Sequence, residues 1–179
     1  MKKIIFEDLP NTNTPINATN LNKLQENIEE EINKTNELNY ISCGSDGTEP
    51  YTAYGWEDIP TTTEALKIGE KLTLENGVVK IGTGISYVKV SGFAIINVTN
   101  NNNSNAYEYM VNVRKNEDGV IHNRIGIGAG ETQQTIFIIP ETIISVTQGD
   151  IIKLSSYSTS GQLTRSIQVG ARLNVEVIK

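Results

Sequence analysis

The stretch KLTLENGVVKIGTGISYVKVSGFAIINV, residues 71–98, decides the fold of this chain. Asn76 and Gly77 stand between two short apolar runs, and both accept the positive φ that a two-residue hairpin turn demands. Further on, Val88, Val90, Gly92, Ala94, Ile96 and Val98 fall on one face of an extended segment at a period of two. The opposite face carries Phe93 and Ile95, so both sides of this strand are expected to be partly covered.

The same grammar continues downstream. Tyr107, Tyr109, Val111 and Val113 alternate, NEDG supplies a turn at residues 116–119, and IHNRIGIG follows as a further strand. TQQTIFIIP reads as a strand that Pro140 terminates, and Gly149-Asp150 reads as a turn opening the next one. The closing run aligns Ile167, Val169, Ala171, Leu173, Val175 and Val177 on one side. Roughly nine short strands with no helix between them exclude a parallel βαβ sheet and predict an antiparallel sandwich, with a jelly roll the natural match in size. Its expected bounds are residues 71–179. Residues 43–70, rich in Gly, Pro, Thr and Asp and lacking a period, are expected to be a linker whose Tyr51, Tyr54 and Trp56 pack on the domain that follows.

Ahead of the linker lies a different element, in an expected N-terminal region of residues 1–42. Residues 1–13 form an arm with Ile4, Ile5 and Phe6, ending in turn formers. Leu21, Leu24, Ile28 and Ile32 then recur at spacings of three, four and four, which is one face of a helix, and the Asn and Thr side chains of NATN, residues 17–20, are available to cap it, with Asn20 directly before the apolar series. The other positions are mainly Asn, Lys, Gln and Glu, so the apolar stripe is narrow. Such a stripe suits a seam between parallel helices, though the helix could also lie against its own β domain. About four turns are marginal in isolation, so a coiled coil would need support from a neighbouring oligomeric domain.

Several chemistries find no basis in the residues. The formal charge of −6 makes nucleic acid a poor partner. There is no run of about 20 apolar residues for a membrane span, and no signal peptide is read at the N-terminus. Cys43 is the single cysteine and His122 the single histidine, so neither a disulfide nor a zinc site is expected, and His122 sits in a strand pattern without a nucleophile motif. Asp46 and Glu49 in GSDGTE lack the spacing of a calcium loop, and the glycines of IGTGI and GIGAGE precede no helix that could bind phosphate. No cofactor, metal or catalytic residue is expected. A glycan-cleaving enzyme or a monomeric lectin-like module stays open as an alternative, because paired carboxylates are recognised in space and not in sequence.

One connection stands out: Asn100, Asn101, Asn102, Asn103, Ser104 and Asn105 join two strands. Amide and hydroxyl groups of this kind bind sugars or polar surfaces through many modest hydrogen bonds, and this loop is the candidate receptor site. The same composition also suits a solvated connection.

Two resemblances follow from these residues. TPINATNLNKLQENIEEEI, residues 14–32, resembles an N-terminal motif of tail and baseplate-associated structural proteins of phages that infect low-GC Gram-positive bacteria. KLTLENGVVKIGTGISYVKVSGFAII, ISVTQGDIIKLSSYS and LNVEVIK are similar to the C1q/TNF-like jelly rolls at the ends of phage fibres, in which a glycine-aspartate turn opens a late strand and the last strand runs through the centre of a sheet. The resemblance implies a mainly β homotrimer without catalytic residues. In it Leu21, Leu24, Ile28 and Ile32 would line a three-helix stalk, residues 1–13 would dock on other virion proteins, and the jelly roll would face a host-surface glycan or protein. The location so implied is the virion, assembled in the host bacterial cytoplasm. A spacer or head decoration fibre without receptor binding is the alternative within the virion.

Overall fold

A computed structural model describes residues 18–35, 38–52 and 54–178. The chain divides into two units between Glu37 and Leu38. The first contains helix α1 (Ala18–Thr35), within which Thr19 and Asn20 lie, while Asn17 of the NATN run falls outside the described residues. Gln25 donates to Glu29 one turn on, at 3.0 Å, and Leu24 and Ile28 are 56% and 50% exposed. Ile32 lies in the same helix. The arm of residues 1–13 falls outside the described residues.

The second unit is an antiparallel jelly roll of two sheets. Its strands are β1 (Tyr40–Gly44), β2 (Tyr51–Thr52), β3 (Gly55–Asp58), β4 (Thr63–Ile68), β5 (Leu72–Glu75), β6 (Val78–Ile81), β7 (Tyr87–Asn100), β8 (Tyr107–Lys115), β9 (Asp118–Ile127), β10 (Thr132–Ser145), β11 (Ile151–Ser158), β12 (Leu163–Ile167) and β13 (Arg172–Val177). One sheet runs β2-β12-β7-β13-β1-β4, with β10 on the far edge of β7; the other runs β5-β6-β11-β8-β9, with β3 beside β11. Buried residues of the two inner faces, such as Val88, Val90, Ile96, Val111, Leu154 and Leu173, interdigitate as one core.

Local turn chemistry explains the hairpins. Asn76 and Gly77 both take positive φ, 51° and 79°, which is the twist a two-residue turn between β5 and β6 needs. Asn116 at φ 54° turns β8 into β9, and Gly149 at φ 88° opens β11. Asp150 holds that opening together: its carboxylate accepts from Asn116 Nδ2 at 2.9 Å and from the Thr147 amide at 2.9 Å. The Asn116 bond, followed by the Thr147 bond, keeps the carboxyl below its ordinary pKa. The last strand, β13, lies between β7 and β1, well inside its sheet.

Three expectations need correction. Residues 43–70 are no linker: β1, β2 and β4 belong to one sheet and β3 to the other, so the sandwich begins near residue 38. The segment lacks a period because it changes sheet between β2 and β3 and then forms an exposed edge in β4. Pro140 does not end its strand; β10 continues to Ser145, with a register shift between Ile139 and Thr142. An edge strand tolerates proline at such a bulge because no neighbour needs its missing N–H. Val169 is 73% exposed, since residues 168–171 leave the line of β12 and β13, with Gly170 at φ 95°.

The two sheets are also joined by a buried cation. Arg165 on β12 points into the sandwich, where its side chain is fully buried and its guanidinium meets Glu57 Oε2 on β3 at 2.6 Å. Its Cζ lies 4.8 Å from the ring centre of Tyr51 and 5.4 Å from that of Tyr109. Removing the acid leaves a charge in the interior, whereas removing the cation leaves a carboxylate that is 35% exposed and can turn to water. Glu57→Ala is therefore expected to cost about 3 kcal/mol and Arg165→Met about 1 kcal/mol in urea denaturation. Equal costs for the two would contradict this asymmetry.

Candidate functional site

Two surfaces of the jelly roll carry organised chemistry. The first is the outer face of the β7 sheet. Because Val88, Val90, Ala94, Ile96 and Val98 point to the core, Lys89, Ser91, Phe93 and Ile95 point away from it. On β10, Phe137 and Ile139 are buried, while Ile136 and Ile138 pair directly with Ile95 and Phe93. Ile136, Ile138 and Ile143 are 61%, 69% and 61% exposed. Elsewhere on the face Leu66 and Ile68 are also exposed, and polar groups pair with one another: Tyr40 Oη donates to Asn174 Oδ1 at 3.1 Å, and Asn174 Nδ2 donates to Ser91 at 3.4 Å. Lys89 lies 2.8 Å from Glu176 and 3.6 Å from Glu141, and the Glu176 bond holds the ammonium above its ordinary pKa.

The second surface is the asparagine-rich connection between β7 and β8. Asn100 is buried, and its Nδ2 donates to the carbonyls of Asn105 at 2.8 Å, Gly128 at 2.9 Å and Ile127 at 3.4 Å. Its Oδ1 accepts from the Asn102 amide at 3.0 Å. Asn101 Nδ2 donates to the Gln162 carbonyl at 3.1 Å and to Thr164 Oγ1 at 2.7 Å. Asn102 Oδ1 accepts from the amides of Ser104 and Asn105, and its Nδ2 donates to Tyr107 Oη at 3.2 Å. Three of the six candidate residues thus shape the loop, and Asn103, Ser104 and Asn105 are exposed.

The aromatic residues ahead of the hairpin behave unequally. Trp56 packs on Tyr157, with centroids 4.9 Å apart, and lies 4.7 Å under the Arg114 guanidinium, whereas Tyr54 is exposed. Around them Lys153 reaches Asp58 and Glu117, both at 3.2 Å, and Arg114 reaches Glu117 at 2.9 Å. The Lys153 hydrogen bond is the main reason the Glu117 carboxyl sits below its ordinary pKa. Each cation here is matched by a carboxylate.

The residues considered for chemistry occupy structural places. His122 pairs with Asn112 in the β8–β9 ladder. Cys43 is buried, and desolvation pushes its thiol pKa up, away from the reactive thiolate. Asp46 accepts from Thr63 Oγ1 at 2.9 Å, and Gly47 takes φ 89° beside it, so GSDGTE is a turn. Among the described residues no group of three or more His, Cys, Asp or Glu is placed to hold a metal, and no helix is long and apolar enough to cross a membrane.

No protein-family model matches the chain, and no curated protein does. Solved structures do. Murine APRIL at pH 5.0 is similar over 79% of this chain and 99% of its own, at 8% identity and a TM-score of 0.50. The globular domain of zebrafish complement 1qA protein covers 79% of this chain and 98% of its own, at 10% identity and 0.46. The PRD1 vertex protein P5 covers 79% and 73%, at 13% identity and 0.43. Identities this low bear on the fold alone, an antiparallel jelly roll, and of these three the APRIL match at a TM-score of 0.50 is the one that supports it.

The loop analysis separates two asparagines of one connection. Asn100→Ala would strand four buried or half-buried polar partners and is expected to cost about 2–3 kcal/mol in urea denaturation, with faster proteolysis at residues 101–106. Asn105→Ala is expected to stay within about 0.5 kcal/mol of the parent. A neutral Asn100→Ala would contradict the structural role assigned to that side chain.

Proposed function

We propose that the protein is a non-enzymatic structural protein of a bacteriophage virion: a homotrimeric fibre or baseplate component that displays its jelly roll for recognition of a host-surface glycan or protein. Residues 1–13 attach it to other virion proteins, and assembly takes place in the host bacterial cytoplasm. The observation that carries the reading is the column Ile136, Ile138, Phe93 and Ile95 on the outer face of a sheet whose inner face already completes a core. Covering Ile136, Ile138 and Ile143 would contribute about 1–2 kcal/mol each, enough to favour association when repeated around a closed ring.

The helix supports the same assembly. In a three-fold arrangement each stripe of Leu21, Leu24, Ile28 and Ile32 meets two copies of itself, and the β domains hold helices that would be marginal alone. The likeness of residues 14–32 to phage tail and baseplate motifs supports the virion setting. A spacer without receptor binding is favoured by one observation, the internal use of the Asn100, Asn101 and Asn102 side chains.

Labelled full-length protein, incubated with a panel of low-GC Gram-positive cells, is expected to coat the surface of its host and to release no soluble sugar from purified walls. Binding to none of them would favour the spacer. Release of reducing sugar would overturn the non-enzymatic reading and restore the glycan-cleaving alternative.

A further inference from the structure

We propose that the loops of residues 100–106, 128–131 and 159–162 form one pre-organised site for a neutral, hydroxyl-rich glycan, contacted by Asn103, Ser104, Asn105 and Gln162. This deepens the receptor-display reading and rests on it.

The three loops are far apart in sequence and joined in space. The Asn100 amide donates to the Glu131 carbonyl at 2.8 Å, the Gly130 amide to the Asn102 carbonyl at 2.9 Å, and the Asn101 amide to the Gln162 carbonyl at 3.0 Å. Beneath the third loop, the Glu108 amide donates to Thr159 Oγ1 at 2.9 Å, and Ser160 Oγ accepts from the Gln162 amide at 3.1 Å. Gly130 takes φ 68°, and a Cβ there would come within 2.8 Å of Asn103 Oδ1, so the closeness of the first two loops depends on a glycine. Backbone and buried side chains therefore fix the platform before any ligand arrives, which lowers the ordering cost of binding.

What the platform presents is specific in kind. Asn103, Ser104, Asn105 and Gln162 are exposed, and among the described residues their side chains make no hydrogen bond. Amides and hydroxyls both donate and accept, as sugar hydroxyls do. The three loops contain no Lys, Arg or His, and their one charge, Glu131, already accepts from the Gly128 amide at 3.0 Å. Arg124, on the β9 strand that leads into the second loop, lies 3.7 Å from Glu108. An anionic polymer would meet no free cation and a chain of net charge −6. A protein partner would look for a large apolar or aromatic anchor, and Ala106 and Ala129 are the only apolar side chains in these loops. Individual contacts of this type are weak, and repetition on three subunits would raise the avidity.

The test uses the full-length protein in calorimetric titrations with two probes released from walls of the bacteria it coats: phosphate-free polysaccharide and poly(glycerol phosphate) teichoic acid. The phosphate-free polysaccharide is expected to bind, and Asn103→Ala/Asn105→Ala/Gln162→Ala is expected to weaken it by about tenfold or more with melting temperature and solution mass unchanged. Gln162→Ala alone should weaken it measurably, linking the third loop to the first. Binding of whole cells with undiminished affinity by the triple variant would overturn the site and leave receptor display standing. Preference for the teichoic acid, with steep salt dependence, would overturn the neutral ligand, and failure of the parent protein to bind any cells would remove the receptor reading beneath both.

Discussion

Strand β7 is where the structure is committed. Its 14 residues hydrogen-bond to β10 along one edge and to β13 and then β12 along the other, so three strands take their register from it. Register in a sheet sends alternate side chains to opposite faces, and a shift by one residue would exchange the core for the surface. With Val88, Val90, Ile96 and Val98 inside, Phe93 and Ile95 must lie outside, and β10 adds Ile136 and Ile138 beside them. The apolar outer face is thus a direct consequence of the pairing that builds the core. Gly92 has its own part in that pairing, since a Cβ there would stand 2.1 Å from the Arg172 carbonyl oxygen of β13.

The same strand delivers its last residue to the loop end. Asn100 closes β7 and ties the loop to the β9–β10 connection with one side chain, and the two asparagines after it continue the lattice of bonds. Core, apolar outer face and candidate glycan platform are therefore positioned by one element, with the chain of consequence running from hydrophobic alternation to strand register to loop placement. Polar side chains do at the loop end what apolar packing does in the interior: they remove conformational freedom before a partner is met.

Much of this was legible wherever a local rule sufficed. Asn76-Gly77, Asn116 and Gly149 announce their turns because few residues tolerate positive φ, and β7, β8 and β13 announce themselves by alternation. Residues 43–70 misled because short strands that switch sheets or lie on an edge leave no period, and Pro140 misled because an edge bulge suspends the usual rule. Arg165 resembles a surface cation until Glu57, 108 positions away, is brought beside it. The six residues 100–105 stand out by composition, but their division into loop-shaping and ligand-facing groups depends on partners at Gly128 and Gln162 that no short-range pattern predicts. The alignment of Leu21, Leu24, Ile28 and Ile32 on one helical face was plain from spacing alone.

An outer face of isoleucines, a thin helical stripe and a polar loop platform make one account only if the chain associates with itself. Light scattering on the full-length protein tests that claim most directly. A closed trimer of 19.7 kDa chains predicts a mass of about 59 kDa, independent of dilution through the micromolar range. A single species near 20 kDa would contradict the account, leaving the isoleucine face without a partner and a monomeric lectin-like module in place of the fibre.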